Sequence, residues 1–438
     1  MCINEIIFLK KILKSIGFIE NILVGFSGGL DSTVLLHALV RLREIINPHL
    51  KIRALYVHHG IHHKADNWLI HCKKICLNWK VEFHSQYIHI DPTENGLEGG
   101  ARIARYQAFC KILLQKEVLV TAHHLDDQAE TFLLALKRGS GPAGLSSMAF
   151  SIPFFHTYLI RPLLSFTRKE LELYAKKKLL CWIEDDSNQN KFYDRNFLRL
   201  NIMPHFCSRW PNFSHAVFRS ATLCAEQEDL LNELLEDCFS RLITDKGALR
   251  ITDLLSYSKI KRNAILRRWF RLHNILMPSY LQLKIIWKEV ICARNDAKPE
   301  FILKKNVIRR FKKKLWILPK FKDITNICLP WHLSTPLILP DNLGTLIITN
   351  HGIGFRFPFS DEKVTVRFGV KGNIKIIGRQ HSTKSKKLWQ ELGIAPWLRK
   401  RIPLIYYNDV LITAVNVFVT ESGKCIDGME LKLNLIQE

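Results

Sequence analysis

The stretch from Ile22 to Leu39, ILVGFSGGLDSTVLLHAL, constrains this chain more than any other. Ile22 to Phe26 form an apolar run that reads as a buried strand, and the periodicity after Asp31 reads as a helix. Between them Gly28 and Gly29 allow a turn too tight for side chains and let backbone N–H groups approach an anion. The following helix aims the positive end of its dipole at the same point. Ser27 and Ser32 add hydroxyl donors. The ligand that suits such a loop is a phosphate. Asp31, useless against a bare phosphate, makes sense with a magnesium ion between the two. No lysine follows the glycines, so the loop is not Gly-x-x-x-x-Gly-Lys-Ser/Thr, nor is it a Gly-x-Gly-x-x-Gly fingerprint. An ordinary kinase or dehydrogenase is disfavoured.

The strand theme recurs in KIRALYVHH at 51–59 and EVLVTAHH at 117–124, each ending in polar residues before a helix-like segment. The fold class expected is α/β, a doubly wound parallel sheet whose ligands gather at the strands' carboxyl ends. At 438 residues the chain exceeds one compact core. After SRWPNF at 208–213 long helical patterns take over, and from about 300 short β-rich pieces alternate with Gly, Pro and Asn turns. The division expected is a first domain over 1–215, a helical domain over 216–315, a linker or domain edge over 316–349, and a small α+β domain over 350–438.

Lys and Arg total 64 against 40 Asp and Glu, a net charge of +24, so a polyanion is the partner best matched to this surface, with nucleic acid foremost. Lysines accumulated by a drifting genome and left solvated are the plain alternative. The 11 cysteines form no Cys-x-x-Cys and no structural zinc pattern, which fits reduced thiols in the cytoplasm. No apolar run approaches the roughly 18 to 20 residues of a membrane helix.

In TAHHLDDQAETFLLALKRGSGPAGLSSM, 121–148, Asp126 and Asp127 fall where a helix begins, and Asp127 and Glu130 share one of its faces. That spacing suits simple dipole complements equally well; His123 and His124, at a strand end aimed at the glycine loop, favour a site. GLEGGARIARYQAF places Glu98 and Arg102 at i and i+4, with Arg105 a turn away, where an ordinary surface ion pair is the plain alternative. Between Lys371 and Arg401 lie Lys375, Arg379, Lys384, Lys386, Lys387, Arg399 and Lys400 against the single acid Glu391, interleaved with Trp389 and Trp397. This reads as a phosphate-tracking surface with buried tryptophans and exposed lysines.

The Ser-Gly-Gly-x-Asp-Ser segment resembles the PP-loop of enzymes that split ATP between its α and β phosphates and adenylate a substrate. With LIRPLLSFTRKELELYA (159–175), WIEDDSNQNKFYDRNFLR (182–199) and SRWPNF, the first 215 or so residues look like the tRNA(Ile)-lysidine synthetase family. The likeness returns in GRQHSTKSKKLWQELGIAPWLRKRIPLIYYNDVLITA, 378–414, similar to that family's C-terminal tRNA-binding domain. Gly99 and Gly100 depart from the more alanine-rich form of the family.

The resemblance implies ligation of free L-lysine to the wobble cytidine of an isoleucine tRNA with anticodon CAU, through an adenylated base, giving lysidine, AMP and pyrophosphate. It implies ATP bound by Ser27, Gly28, Gly29, Leu30, Asp31 and Ser32, with Asp31 holding magnesium. Asp31, Asp127 and Glu130 become the catalytic candidates, and Asp127, Glu130 and Arg102 the lysine site. His58 and His59 end the second strand, where either the adenosine lies or a histidine simply caps the strand. Arg195, Asn196 and Arg199 are expected on the tRNA or nucleotide in preference to pairing with Asp185 and Asp186. Lys384, Lys386, Lys387, Arg399 and Lys400 are expected on the tRNA, and a homodimer is an expected assembly. The rival readings are a tRNA sulfur transferase, which would need catalytic cysteines or a cluster, and a non-catalytic RNA-binding protein with a relict nucleotide fold.

Overall fold

Ile22, Leu23 and Val24 are fully buried, as a strand covered on both faces must be. In the computed structural model, which describes residues 5–17, 19–60, 62–89, 96–294, 296–425 and 430–436 (96–98 by backbone alone), they form the middle of a six-stranded sheet. The chain runs α1 (Glu5–Ile16), β1 (Asn21–Gly25), α2 (Leu30–Ile45), β2 (Lys51–His58), α3 (Ala65–Asn78) and β3 (Glu82–Tyr87). It continues through α4 (Gly96–Ile112), β4 (Val118–Val120), α5 (Leu125–Lys137), α6 (Pro142–Leu145), β5 (Ser151–Phe154), β6 (Thr157–Ile160) and α7 (Arg168–Lys177).

The strand order is β3-β2-β1-β4-β6-β5, all neighbours parallel except the β5–β6 hairpin. Alternation along β1 sends Ile22 and Val24 to one face and Leu23 to the other. The first face packs Phe8, Ile12, Leu35, Leu39 and Leu171 from α1, α2 and α7; the second packs Ala108 and Phe109 from α4. Each of the large apolar side chains among these, fully buried, contributes about 1.5–3 kcal/mol. Strand order reverses at β1, between β2 and β4, so the crevice beyond the carboxyl ends of β1 and β4 is the natural ligand position.

Beyond the sheet a helical path runs through α8 (Asp194–Phe197), a π turn at Leu198–Ile202, and α9 (Met203–Arg209), then α10 (Phe213–Leu242). Pro204 has no N–H to give to Leu200, and the wide turn lies just before it.

Contacts divide the chain between Leu234 and Leu235. In the second unit α11 (Lys259–Leu272) and α12 (Tyr280–Ile285) share a core with a four-stranded antiparallel sheet of β7 (Leu249–Arg250), β8 (Glu300–Leu303), β9 (Asn306–Phe311) and β10 (Lys314–Pro319), with Trp269, Phe270, Leu249 and Leu315 buried at its centre. Within 216–315 the chain thus forms α10 to α12 together with β7 and the β8–β9 hairpin at 300–311.

The stretch expected as a linker, 316–349, finishes β10 and supplies β11 (Cys328–Pro330), β12 (Leu337–Leu339) and β13 (Gly344–Ile348). Then follow β14 (Val364–Phe368), β15 (Asn373–Ile374), β16 (Thr383–Lys384), α13 (Ser385–Glu391), β17 (Pro403–Tyr407), β18 (Val410–Ala414), β19 (Phe418–Val419) and β20 (Leu433–Ile436). β11 pairs with β14, and β13 with β20, so this stretch is woven into the C-terminal sheets.

Candidate active site

The glycine loop joins β1 to α2 as its sequence requires. Gly28 has φ of +77°, and a Cβ there would come within 2.7 Å of Cys72 Sγ and 2.8 Å of Ile183 Cδ1, so only glycine fits without displacing neighbours. The Gly28 carbonyl accepts from Ile183 N at 2.9 Å. Ser27 and Ser32 hydroxyls lie 3.1 Å apart, and Ser32 Oγ donates to Gly29 O at 3.0 Å. Leu30 and Asp31 open α2. Burial pushes the Asp31 carboxyl above the usual range despite the nearby His124 and Arg168, and its Oδ1 is buried without a hydrogen-bond partner. A buried carboxylate oxygen left open beside a phosphate cradle is a fitting ligand for a hard divalent cation.

Opposite lies the start of α5. Asp127 Oδ2 accepts from the backbone N–H of His124 at 3.0 Å, closing the first turn. Asp126 is used structurally: its two oxygens accept from Arg168 N and from Ser214 Oγ, each at 2.8 Å. His124, 1 % exposed, spans the two halves of the site, with Nε2 3.4 Å from Asp127 Oδ2 and 3.7 Å from Asp31 Oδ2.

Arg195 and Arg199 close the other side. Glu130, 1 % exposed, accepts from Arg195 Nε at 2.8 Å and from Arg199 Nε at 2.6 Å, while Arg199 Nη2 donates to Asp127 Oδ1 at 2.9 Å. Arg195 and Arg199 therefore pair with Asp127 and Glu130, the carboxylates of α5 itself, and not with Asp185 and Asp186. Burial alone would raise the Asp127 carboxyl, but His124, Arg195, His123 and Arg199 outweigh it and hold it well below the usual range. Conversely, burial would lower the Arg199 guanidinium, yet Glu130 and Asp127 hold its pKa above normal. The result is a nearly neutral, hydrogen-bonded cluster of two carboxylates and two guanidiniums. A shallow cavity of about 160 Å³, lined by His124, Glu130, Arg168 and Arg199 among others, opens beside it.

The structure does not bring every expected residue here. Asn196 Nδ2 donates to Ser187 O and Asn190 O at 3.1 and 2.9 Å, tying down its own loop. Arg102 is exposed, its guanidinium 5.2 Å from the Tyr106 ring centroid, without contact to Asp127 or Glu130. The Glu98 side chain lies outside the described residues. His58 Nδ1 accepts from Gly60 N at 3.2 Å, a capping role, whereas His59 is half-buried and pushed down to about 4 by desolvation and then by Arg105. His123, half-buried near Arg161, Arg195 and Arg105, is pushed down to about 3 chiefly by desolvation. Arg105 lies near enough to His59 and His123 to act on both, and Arg168, which the sequence reading passed over, lines the cavity beside the cluster. Its one signal is the Thr167-x-x-Glu170 capping box, which places it in the first turn of α7.

In the C-terminal part, Lys384, Lys386, Lys387 and Lys400 are exposed. Arg399 is half-buried with Nε donating to Ile394 O at 3.0 Å. Trp389 is core at 3 % exposure, and Trp397 is half-buried. No helix among the described residues is long and apolar enough to cross a membrane.

A parallel sheet with a Ser-Gly-Gly-x-Asp-Ser turn at its switch point defines a PP-loop protein, and residues 6–206 match the PP-loop domain model. Residues 249–316 match the TilS substrate binding domain and 364–434 the TilS substrate C-terminal domain. The chain is 54% identical over 429 residues to the tRNA(Ile)-lysidine synthase of Photorhabdus laumondii subsp. laumondii, covering 98% of this chain and 97% of that one. It is 54% identical over 418 residues to the same enzyme of Proteus mirabilis, covering 95% of each. It belongs to the tRNA(Ile)-lysidine synthase family. Among solved structures, the U34-tRNA thiolase NcsA from Methanococcus maripaludis is similar over 50% of this chain and 78% of its own, at 19% identity and a TM-score of 0.43.

Proposed function

We propose that this protein ligates free L-lysine to the wobble cytidine of an isoleucine tRNA with anticodon CAU, using ATP and releasing AMP and pyrophosphate. The observation that carries the reading, beside family membership, is the facing of the PP-loop by the Asp127–Glu130 pair, with His124 between them. One element suits a triphosphate and the other an ammonium group, and a few ångströms separate them.

In the first step the cytidine carbonyl oxygen attacks the α-phosphate and pyrophosphate leaves. The N–H groups of the Gly28–Gly29 turn, the Ser27 and Ser32 hydroxyls and the start of α2 at Leu30 hold the leaving pyrophosphate. Asp31 is the residue that would hold magnesium; the ion, when bound, neutralises charge building on the leaving group. Arg168 and Arg199, close enough to Asp31 to act on its carboxyl, are placed to meet the phosphates from the far side.

In the second step the lysine ε-amine forms the carbon–nitrogen bond and AMP departs with the carbonyl oxygen. Free lysine at pH 7 is neutral in only about one molecule in 2,500. Asp127, held well below the usual carboxylate range, stays ionised and is a weak proton acceptor. Its part is to hold and orient the ammonium, sharing its charge with Arg199; the ammonium gives one proton to solvent water before the neutral amine attacks, and the second leaves to water once the carbon–nitrogen bond has formed. Lysine and the guanidiniums compete for the same oxygens, so the site takes lysine best once phosphate draws Arg199 away. The ten free cysteines among the described residues accord with a reducing, cytoplasmic setting, and a homodimer remains part of this reading.

The test is transfer of radiolabelled lysine, with ATP and magnesium, onto unmodified isoleucine tRNA bearing CAU, beside initiator and elongator methionine tRNAs. Label on the isoleucine tRNA alone is the expected result. Pyrophosphate release that requires RNA but leaves no label would assign a different nucleophile.

A further inference from the structure

A cleft of about 330 Å³ in the second unit lies between the β8–β10 sheet and the loop after α13. It falls where the two matched substrate domains meet, and its volume is that of a site for one small ligand. Its lining holds five basic residues, among them Lys320, Lys322 and Lys400, against two acids, Glu300 and Asp323. Both acids are engaged: Glu300 with Arg309 at 2.7 Å and Asp323 with Lys400 at 3.7 Å.

Trp397 lines the cleft and is half-buried. Its ring meets Phe311 edge-on at 5.7 Å and Trp316 at 6.2 Å, and the Arg309 guanidinium lies 5.9 Å from its centroid. The Arg309 Nε beside it is buried with no acceptor, while the far end of the same guanidinium stays on Glu300. An aromatic wall and exposed lysines at one rim match a nucleotide: the ring for the base and the lysines for phosphate.

We propose that this cleft holds one unpaired nucleotide of the RNA substrate, with its base against Trp397 and its backbone phosphates on Lys320, Lys322 and Lys400. The proposal rests on the reading of the chain as a tRNA-modifying enzyme. A duplex cannot enter, because its bases are stacked inward and only its backbone would reach the lysines.

The experiment measures the Kd of the full-length protein for tRNA(Ile) across a salt series. Trp397→Ala is expected to weaken binding about ten-fold with an unchanged salt slope, and Trp397→Phe to restore most of the loss. Lys320→Glu with Lys322→Glu is expected to weaken binding and to flatten the slope. A blunt-ended RNA duplex should compete poorly with a single-stranded oligonucleotide for the wild type. Binding by Trp397→Ala within two-fold of wild type would overturn the proposal, as would equal competition by the duplex or equal losses in the Ala and Phe variants. Lysine transfer by the wild type runs alongside: absent transfer with cleft variants still impaired would sink the functional reading and leave the cleft standing.

Discussion

At the scale of single residues, the question is what Asp127 and Glu130 each do when both face two arginines. Asp127 also caps α5 and touches His124, whereas Glu130 is 1 % exposed and takes hydrogen bonds from both guanidiniums. Asp127→Asn retains an acceptor oxygen for His124 N and is expected to leave ATP affinity nearly intact while lysine transfer falls by about two orders of magnitude. Unchanged transfer would remove Asp127 from the lysine site. Glu130→Gln leaves two buried guanidiniums short of an anion, so its cost falls on folding as well, about 3 kcal/mol, read as a lowered urea midpoint. The carboxylate pair was legible from its i, i+3 spacing. Its partners were not, because Arg195 lies 65 residues further along and nothing in local spacing reports a contact so distant. Histidines supply a pH test. Burial, then Lys178 and Arg41, pushes His37 down to about 4, and His59 is pushed down to about 4 by burial and then Arg105. Between pH 6.5 and 4 the unfolded chain therefore binds protons that the fold refuses, and stability must fall as pH falls through that window. Denaturation at pH 7 and pH 5 should differ, and His37→Gln, which keeps a partner for Tyr174, should reduce the difference; an unaltered difference would count against His37 as a source.

At the scale of elements, the glycine turn and α2 behave as one unit. Gly28→Ala puts a methyl group on a backbone at φ +77° and into Cys72 and Ile183, which costs about 1–2 kcal/mol for the conformation alone. The turn is expected to shift, raising the KM for ATP more than that for lysine; an unchanged ATP KM would show that the turn tolerates displacement. This unit was readable because its glycines, serines and apolar strand are contiguous. The hairpins of the second unit were not. β8–β9 turns through Lys304 and Lys305, with φ of 52° at Lys304, and β9–β10 turns through Lys312 and Lys313 at 45° and 59°. Lysine pairs carry none of the Asn-Gly or Asp-Gly signal that marks such turns, so 300–319 reads as short β-rich pieces whose joining into hairpins only the strand pairing supplies. In the same way the 316–349 stretch looks like a linker because its strands are only three to six residues long and pair with segments near the end of the chain.

At the scale of the whole molecule, a net charge of +24 has to be weighed against the size of an RNA substrate. In the reaction proposed above the loop serves ATP and the carboxylates lysine, and they need little of this charge; the exposed Lys384, Lys386, Lys387 and Lys400 lie far along the chain in the C-terminal unit. RNA affinity should therefore depend on segments that ATP affinity does not need. Where the chain is cut decides whether that can be tested. Removing 350–438 strips β14 from β11 and β20 from β13, and uncovers Leu339, Leu346 and Trp331, which share a core with Phe355, Phe368 and Tyr407. Unpaired edges and bared core together favour aggregation, so that deletion should lose every activity and say nothing of RNA. A cut after Lys320 keeps β7 to β10 and their core of Trp269, Phe270 and Leu315 whole. The protein ending there is expected to bind ATP with near wild-type affinity and to lose at least ten-fold in tRNA affinity, with a shallower dependence on salt as the C-terminal phosphate contacts disappear. Equal losses of ATP and tRNA binding in a protein that still melts cooperatively would mean that the C-terminal domain supports the catalytic half, and that its charge is surface and nothing more.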